Sequence, residues 1–145
     1  MRTKFLIAIA FTLASLANAI AQEPDKRSPI DRYRGDTVYT LMMCQISFYN
    51  AQTNAMVDKA QDQASDYESC IEKGKGTTKL AFDAALRTIR KPAAVEALKA
   101  HHVAFVTALQ GIRPAVEERK GAYRQRQQVL EERLTATWAR IEIEQ

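Results

Sequence analysis

Residues 91–109, KPAAVEALKAHHVAFVTAL, give the clearest indication of the fold. Its larger apolar residues form a stripe along one face of a helix, namely Val95, Leu98, Val103, Val106 and Leu109. Pro92 suits the first position of that helix, where its missing N–H needs no partner. The stretch therefore predicts an amphipathic helix that begins directly after a break at Lys91-Pro92.

Downstream of this stretch the helical pattern is interrupted and then resumes. Gly111 and Pro114 break it, because proline removes a backbone hydrogen bond and clashes with the preceding turn. Apolar residues then recur at helical spacing from Val116 almost to Gln145. Good helix formers dominate the chain beyond its N-terminal segment, so the predicted fold class is all-α, with three to four amphipathic helices.

Upstream, Gly74 and Gly76 form the next break. Two glycines so close together predict a C-cap or a hinge before a short helix over 80–89. Neither glycine nor proline occurs over 36–73, where apolar residues recur at helical spacing. Asp36 predicts the N-cap of one long helix over that range, because its carboxylate can accept the free N–H groups of the first turn.

These breaks allow two arrangements of the helices. If the breaks at 74–76, 91–92 and 111–114 all reverse the chain, four helices form a compact domain. If only the break at 91–92 reverses it, a long arm upstream runs antiparallel to a long arm downstream. We expect the second arrangement, a helical hairpin.

The distribution of charge favours that hairpin. Residues 58–72 are mainly acidic and residues 113–126 are mainly basic. Folding the chain about residue 91 would bring Asp58 close to Arg124, and opposite charges along an antiparallel seam select the register.

The N-terminus predicts export. Residues 1–21 combine the charges of Arg2 and Lys4 with an apolar run over 5–16 and small residues before Ala21. This order is typical of a secretory signal peptide, with cleavage expected after Ala21. Loss of the two charges lowers the net charge from +4 to +2, which gives little reason to expect nucleic acid as a partner.

Beyond the leader, residues 22–35 contain proline, glycine and many charges, which predicts a flexible tail. Residues 36–145 are then expected to form a single all-α domain. No apolar run after the leader is long enough to span a bilayer. The expected location is the periplasm or the extracellular medium.

Cys44 and Cys70 are the only cysteines, and an oxidising compartment favours a disulfide between them. An unbroken helix would hold them roughly 39 Å apart, whereas a disulfide needs Cα atoms within about 7 Å. Three alternatives stay open at this point. The helix breaks near 50–54, or the cysteines join two chains in an antiparallel homodimer, or both are unpaired.

No catalytic or cofactor-binding pattern stands out. His101 and His102 are adjacent, so on a helix they point about 100° apart and do not face one metal ion. We expect one of them at the boundary of the core and the other in solvent. Because no phosphate-binding loop and no nucleophile motif is present, the sequence predicts a protein that is not an enzyme and needs no cofactor.

Two surfaces are candidates for binding. The first is a basic group that the hairpin arrangement would gather at one end of the molecule, where it would suit anionic lipid or lipopolysaccharide; it consists of Lys73, Lys75, Lys79, Arg87, Arg90 and Lys91. The second is the aromatic start of the long helix. Phe48 and Tyr49 are neighbours and cannot share a face, so one of them points outward.

The function expected from these features is non-enzymatic binding of another macromolecule of the cell envelope, as a chaperone, an inhibitor or an accessory subunit. The alternative is binding to an anionic envelope surface through residues 73–91.

Overall fold

Four helices make up most of the described chain. The computed structural model describes residues 26–55 and 60–145, with side chains other than those of 53–55 and 60–65. The helices are α1 (Pro29–Ala55), α2 (Ala60–Thr88), α3 (Pro92–Gln110) and α4 (Lys120–Glu144). The described ranges contain no strand, which confirms the all-α class. The predicted signal peptide, residues 1–21, lies outside the described residues.

α1 begins at Pro29, inside the segment 22–35 that was predicted to be flexible. The hydroxyl oxygen of Ser28 accepts a hydrogen bond from the backbone N–H of Asp31 at 3.2 Å and donates one to its carboxylate at 2.6 Å. This cap, with proline at the first helical position, starts the helix early. Because Tyr33 is fully buried, the prediction of a tail up to residue 35 is wrong.

The predicted single helix over 36–73 is also wrong, since α1 ends at Ala55 and α2 begins at Ala60. The two helices run antiparallel, and a disulfide joins Cys44 on α1 to Cys70 on α2, with Cα atoms 5.6 Å apart. The intrachain disulfide is therefore confirmed, and the interchain and unpaired alternatives are wrong.

Gly74 and Gly76 lie inside α2 and do not interrupt it. A Cβ atom on Gly74 would collide with the Cγ2 methyl of Thr40, so glycine at this position lets α1 approach α2 closely. A Cβ on Gly76 would meet open space. The predicted hinge at 74–76 is therefore wrong, because Gly74 serves helix packing. The two-arm hairpin is wrong for a different reason: the chain also reverses between α1 and α2 and between α3 and α4.

The reversal between α2 and α3 lies where the sequence indicated it, directly before Pro92. One ion pair follows the register of a fold about residue 91: Arg113 Nη1 lies 3.7 Å from Glu68 Oε1. Both side chains are largely exposed, so the pair contributes little to stability. The expected pairing of Asp58 with Arg124 lies outside the described residues.

The connection between α3 and α4 is an irregular loop fastened by Arg126. Its guanidinium donates to the carbonyl oxygens of Gly111 at 2.6 Å and Arg113 at 3.1 Å, and to both carboxylate oxygens of Glu118 at 2.9 and 2.7 Å. The bonds from Arg126, with a further one from the backbone N–H of Ala115, hold the pKa of Glu118 down at about 2. α4 accordingly begins at Lys120, later than the apolar pattern predicts.

The core consists of two clusters at opposite ends of the helices. The cluster near the α2–α3 turn contains Tyr33, Ala81, Ala85, Ala97, Leu98 and Ile141. The other contains Cys44, Phe48, Tyr67, Phe105, Leu109 and Ile112. α3 contributes to both with a face rich in alanine, whereas Val103 of its predicted apolar stripe is exposed. Small residues let the neighbouring helices approach α3, which makes it the central element.

Candidate functional site

The side of α1 that faces α4 forms one wall of a groove. α1 and α4 have no Cα atoms within 8 Å of each other in the described ranges, and α3 supplies the floor between them. The groove has a volume of about 290 Å³. Its apolar lining comes from all three helices and comprises Val38, Leu41, Phe105, Leu134, Trp138 and Ala139. We refer to it as the α1–α4 groove.

Polar side chains close one end of the α1–α4 groove. Arg34 Nη1 donates to Glu142 Oε1 at 3.0 Å, and the indole N–H of Trp138 donates to the same oxygen at 2.6 Å. The guanidinium carbon of Arg34 lies 4.8 Å from the centre of the Trp138 ring, within the range of a cation–π contact. These three side chains satisfy one another and link α1 to α4 at the rim.

The floor of the groove carries an uncharged buried histidine. Nδ1 of His101 lies 3.0 Å from the Tyr33 hydroxyl, and the His101 ring meets Trp138 edge-on at 5.2 Å. Burial lowers the pKa of His101 to about 4, so its imidazole is neutral near pH 7 and shares a hydrogen bond with the Tyr33 hydroxyl. The floor is therefore free of charge at neutral pH.

The prediction of one boundary and one solvated histidine is wrong. His101 is buried, and His102 is half-buried and stacks on Phe82 with ring centres 4.2 Å apart. Desolvation also lowers the pKa of His102. Both histidines are packing residues of the helix bundle, a role that depends on Tyr33 and Phe82 from other helices.

The outer side of α1 is apolar as well. Phe48 packs in the core while its neighbour Tyr49 is 55% exposed, which confirms that one of the pair points outward. Four further large apolar side chains are exposed on the same side of α1, namely Tyr39, Met42, Met43 and Ile46. We call these residues, together with Tyr49, the α1 outer stripe. Val38, which lines the α1–α4 groove, is the groove residue nearest to this stripe on the helix surface.

The basic candidates do not gather at one end of the molecule. Four of them lie along α2, where Lys73 and Arg87 are roughly 21 Å apart at 1.5 Å per residue. Lys75 is paired with Glu72 and Lys79 with Asp83, each at 2.7 Å. Arg90 and Lys91 are exposed at the α2–α3 turn. Four of the six therefore extend along the second half of α2 and do not form one compact end; the binding role of the group stays a prediction.

Within the described ranges, no three His, Cys, Asp or Glu side chains stand close enough to hold a metal ion, and no helix is long and apolar enough to cross a membrane. The α1–α4 groove was missed at the sequence level, because its lining residues come from three helices that only the tertiary fold brings together. Its one sequence signal was Trp138, a large side chain near the C-terminus.

No protein-family profile, no curated protein and no solved structure matches this chain.

Proposed function

We propose that the protein is exported and acts by binding another macromolecule of the cell envelope, as a chaperone, an inhibitor or an accessory subunit. One observation carries the proposal: α1 and α4 stand apart and leave an apolar groove between them. In a closed four-helix bundle, adjacent helices would pack together and bury this surface. An apolar groove left open along two helices is a form of surface that partner helices use.

The groove favours a particular kind of occupant. Its walls are apolar, and its polar groups at the rim already bond one another, as Arg34 does with Glu142. An amphipathic segment of a partner protein, inserting two or three apolar side chains, would match a volume of about 290 Å³. We therefore propose binding of a protein segment rather than chemical transformation of a substrate.

Site-specific photo-crosslinking tests this proposal. A benzophenone amino acid is placed at Thr135, which lines the groove, and for comparison at Ala136, the next residue of α4, which is exposed outside it. Irradiation of cells should give an adduct with another envelope protein at position 135 and much less at position 136. Equal adducts at both positions, or none at either, would contradict the proposal.

A groove-filling variant gives a second test. Ala139→Phe places a ring inside the groove, whereas Ala136→Phe adds the same ring on the exposed side of the same helix. We expect the first variant to abolish the adduct from position 135 and the second to leave it, with equal melting temperatures showing that both fold. Retention of the adduct in Ala139→Phe would place the binding surface elsewhere.

A further inference from the structure

α1 is apolar on two opposite sides. Its inner side contributes Tyr33, Cys44 and Phe48 to the core. The α1 outer stripe lies nearly opposite, with Tyr39 61% and Tyr49 55% exposed. A helix that is apolar all round is usually buried on every side, so an exposed apolar side indicates an interface.

The stripe is continuous and uncharged. At 3.6 residues per turn its five side chains fall within a sector of about 120°. No charged residue occurs in α1 from Thr37 to its end at Ala55, so α1 contributes no charge to its outer side over that length. Among the other residues whose side chains the structure describes, large exposed apolar ones such as Val129 and Ile143 on α4 do not form a comparable cluster along one helix face.

We propose that the α1 outer stripe is the interface of a homodimer, in which α1 packs antiparallel on α1 of a second copy of this chain. This goes beyond the proposed function and does not depend on it, since no residue of the stripe lines the α1–α4 groove; only Tyr49, at the edge of the stripe, also interacts with α4, through Tyr123. The disulfide plays no part, because Cys44 and Cys70 are bonded within one chain.

The stripe supplies more than half of the area that this occupant needs. Its side chains expose roughly 500 Å² per chain, compared with about 800 Å² per partner in a standard interface. Polar residues beside the stripe would supply the remainder as the rim of the interface. A two-fold interface uses the same patch on both chains, and an uncharged patch can face itself without repulsion.

The antiparallel orientation follows from the distribution of residues. A two-fold axis at Cys44 brings Tyr39 opposite Tyr49 of the second copy, and Met42 opposite Ile46, so aromatic residues meet aromatic ones and aliphatic residues meet aliphatic ones. A parallel pair would instead set Asp36 beside its own copy, where like charges repel. In the antiparallel dimer both α1–α4 grooves open on the same side, which would allow bivalent binding of a partner.

Sedimentation velocity tests the dimer. The full-length gene is expressed, and the exported protein is purified without reductant. Over a hundredfold range of concentration we expect a species of twice the chain mass. The double variant Met42→Glu/Ile46→Glu should be a monomer, because the interface would bury four unpaired carboxylates. The matched control Val129→Glu/Ile143→Glu, with exposed apolar residues changed on α4, should stay a dimer.

Crosslinking from position 42 keeps the test decisive even if the glutamate variant fails to fold. With benzophenone at Met42 of the otherwise unchanged chain, the adduct should contain two copies and map close to Ile46. A monomer at every concentration would overturn the inference, as would a dimer that persists in the folded glutamate variant or an adduct with a different protein. None of these results would affect crosslinking from Thr135, so failure of the dimer and failure of the proposed function are distinguishable.

Discussion

Breaking the disulfide should lower the free energy of unfolding by about 3.5 kcal/mol. Cys44 and Cys70 are 26 residues apart, and a link across such a loop reduces the entropy of the unfolded chain by about 12 cal/mol/K. At 25 °C this entropy corresponds to about 3.5 kcal/mol. Because Cys44 is fully buried, its replacement by alanine would add a packing loss, whereas reduction leaves both sulfur atoms in place.

Denaturant unfolding, followed by circular dichroism, measures this effect on the oxidised and the reduced protein. The double variant Cys44→Ala/Cys70→Ala is the matched control, since adding reductant should not change its stability. The expected result is a difference of about 3.5 kcal/mol between the oxidised and reduced wild-type chains and none in the variant. A difference below about 1 kcal/mol would contradict this expectation, because the link would then not restrict the unfolded chain by the entropy calculated from its loop length.

Three further predictions concern packing, the α3–α4 loop and pH. Gly74→Ala should destabilise the protein by about 1–3 kcal/mol, since the new methyl group meets Thr40. Gly76→Ala should stabilise it by about 0.5–1 kcal/mol, because alanine favours a helix and its methyl group meets open space. Thermal melts of the two variants measure the difference. Arg126→Ala should cost about 2 kcal/mol because the Glu118 carboxylate and the carbonyl oxygen of Arg113 lose the guanidinium, although Gln127 still donates to the carbonyl oxygen of Gly111. Arg124→Ala, at an exposed position, should change stability by less than about 0.5 kcal/mol; denaturant unfolding compares the two variants. Folding lowers the pKa of His101 from 6.5 to about 4, so the unfolded chain takes up the proton first as the pH falls. The stabilising contribution is full above pH 6.5 and is lost as the pH falls towards 4, by at most about 3 kcal/mol, and His101→Gln should flatten that part of the stability–pH profile.

The sequence was sufficient for local features that a few adjacent residues determine. Pro92 marks the start of α3, and the two cysteines in a chain with a signal-peptide pattern predicted a disulfide. The geometric conflict between that disulfide and one long helix was also recognised correctly, and its first resolution, a break near 50–54, is close to the observed end of α1 at Ala55. The hydrophobic pattern did not reveal the break, because apolar or small residues recur at helical spacing on both sides of it.

Features that depend on contacts between helices could not be predicted in the same way. Gly74 has the sequence appearance of a hinge, and only the nearby methyl of Thr40 shows that it is a packing position. The α1–α4 groove is likewise absent from any local pattern, since Val38, Phe105 and Leu134 come from three helices. Ser28 and Asp31 have the spacing of a helix cap in the sequence. The many charges around them favoured a flexible tail instead, so the cap was not predicted.

We propose above all that the α1–α4 groove holds a segment of another envelope macromolecule. Native mass spectrometry of the protein taken from its own cell envelope without reductant tests it most directly, with wild type, Ala139→Phe and Ala136→Phe compared. We expect wild type and Ala136→Phe to show an additional mass beyond whole multiples of the chain mass, and Ala139→Phe to lack that additional mass. An unaccompanied chain in all three proteins, or the same additional mass in all three, would contradict it.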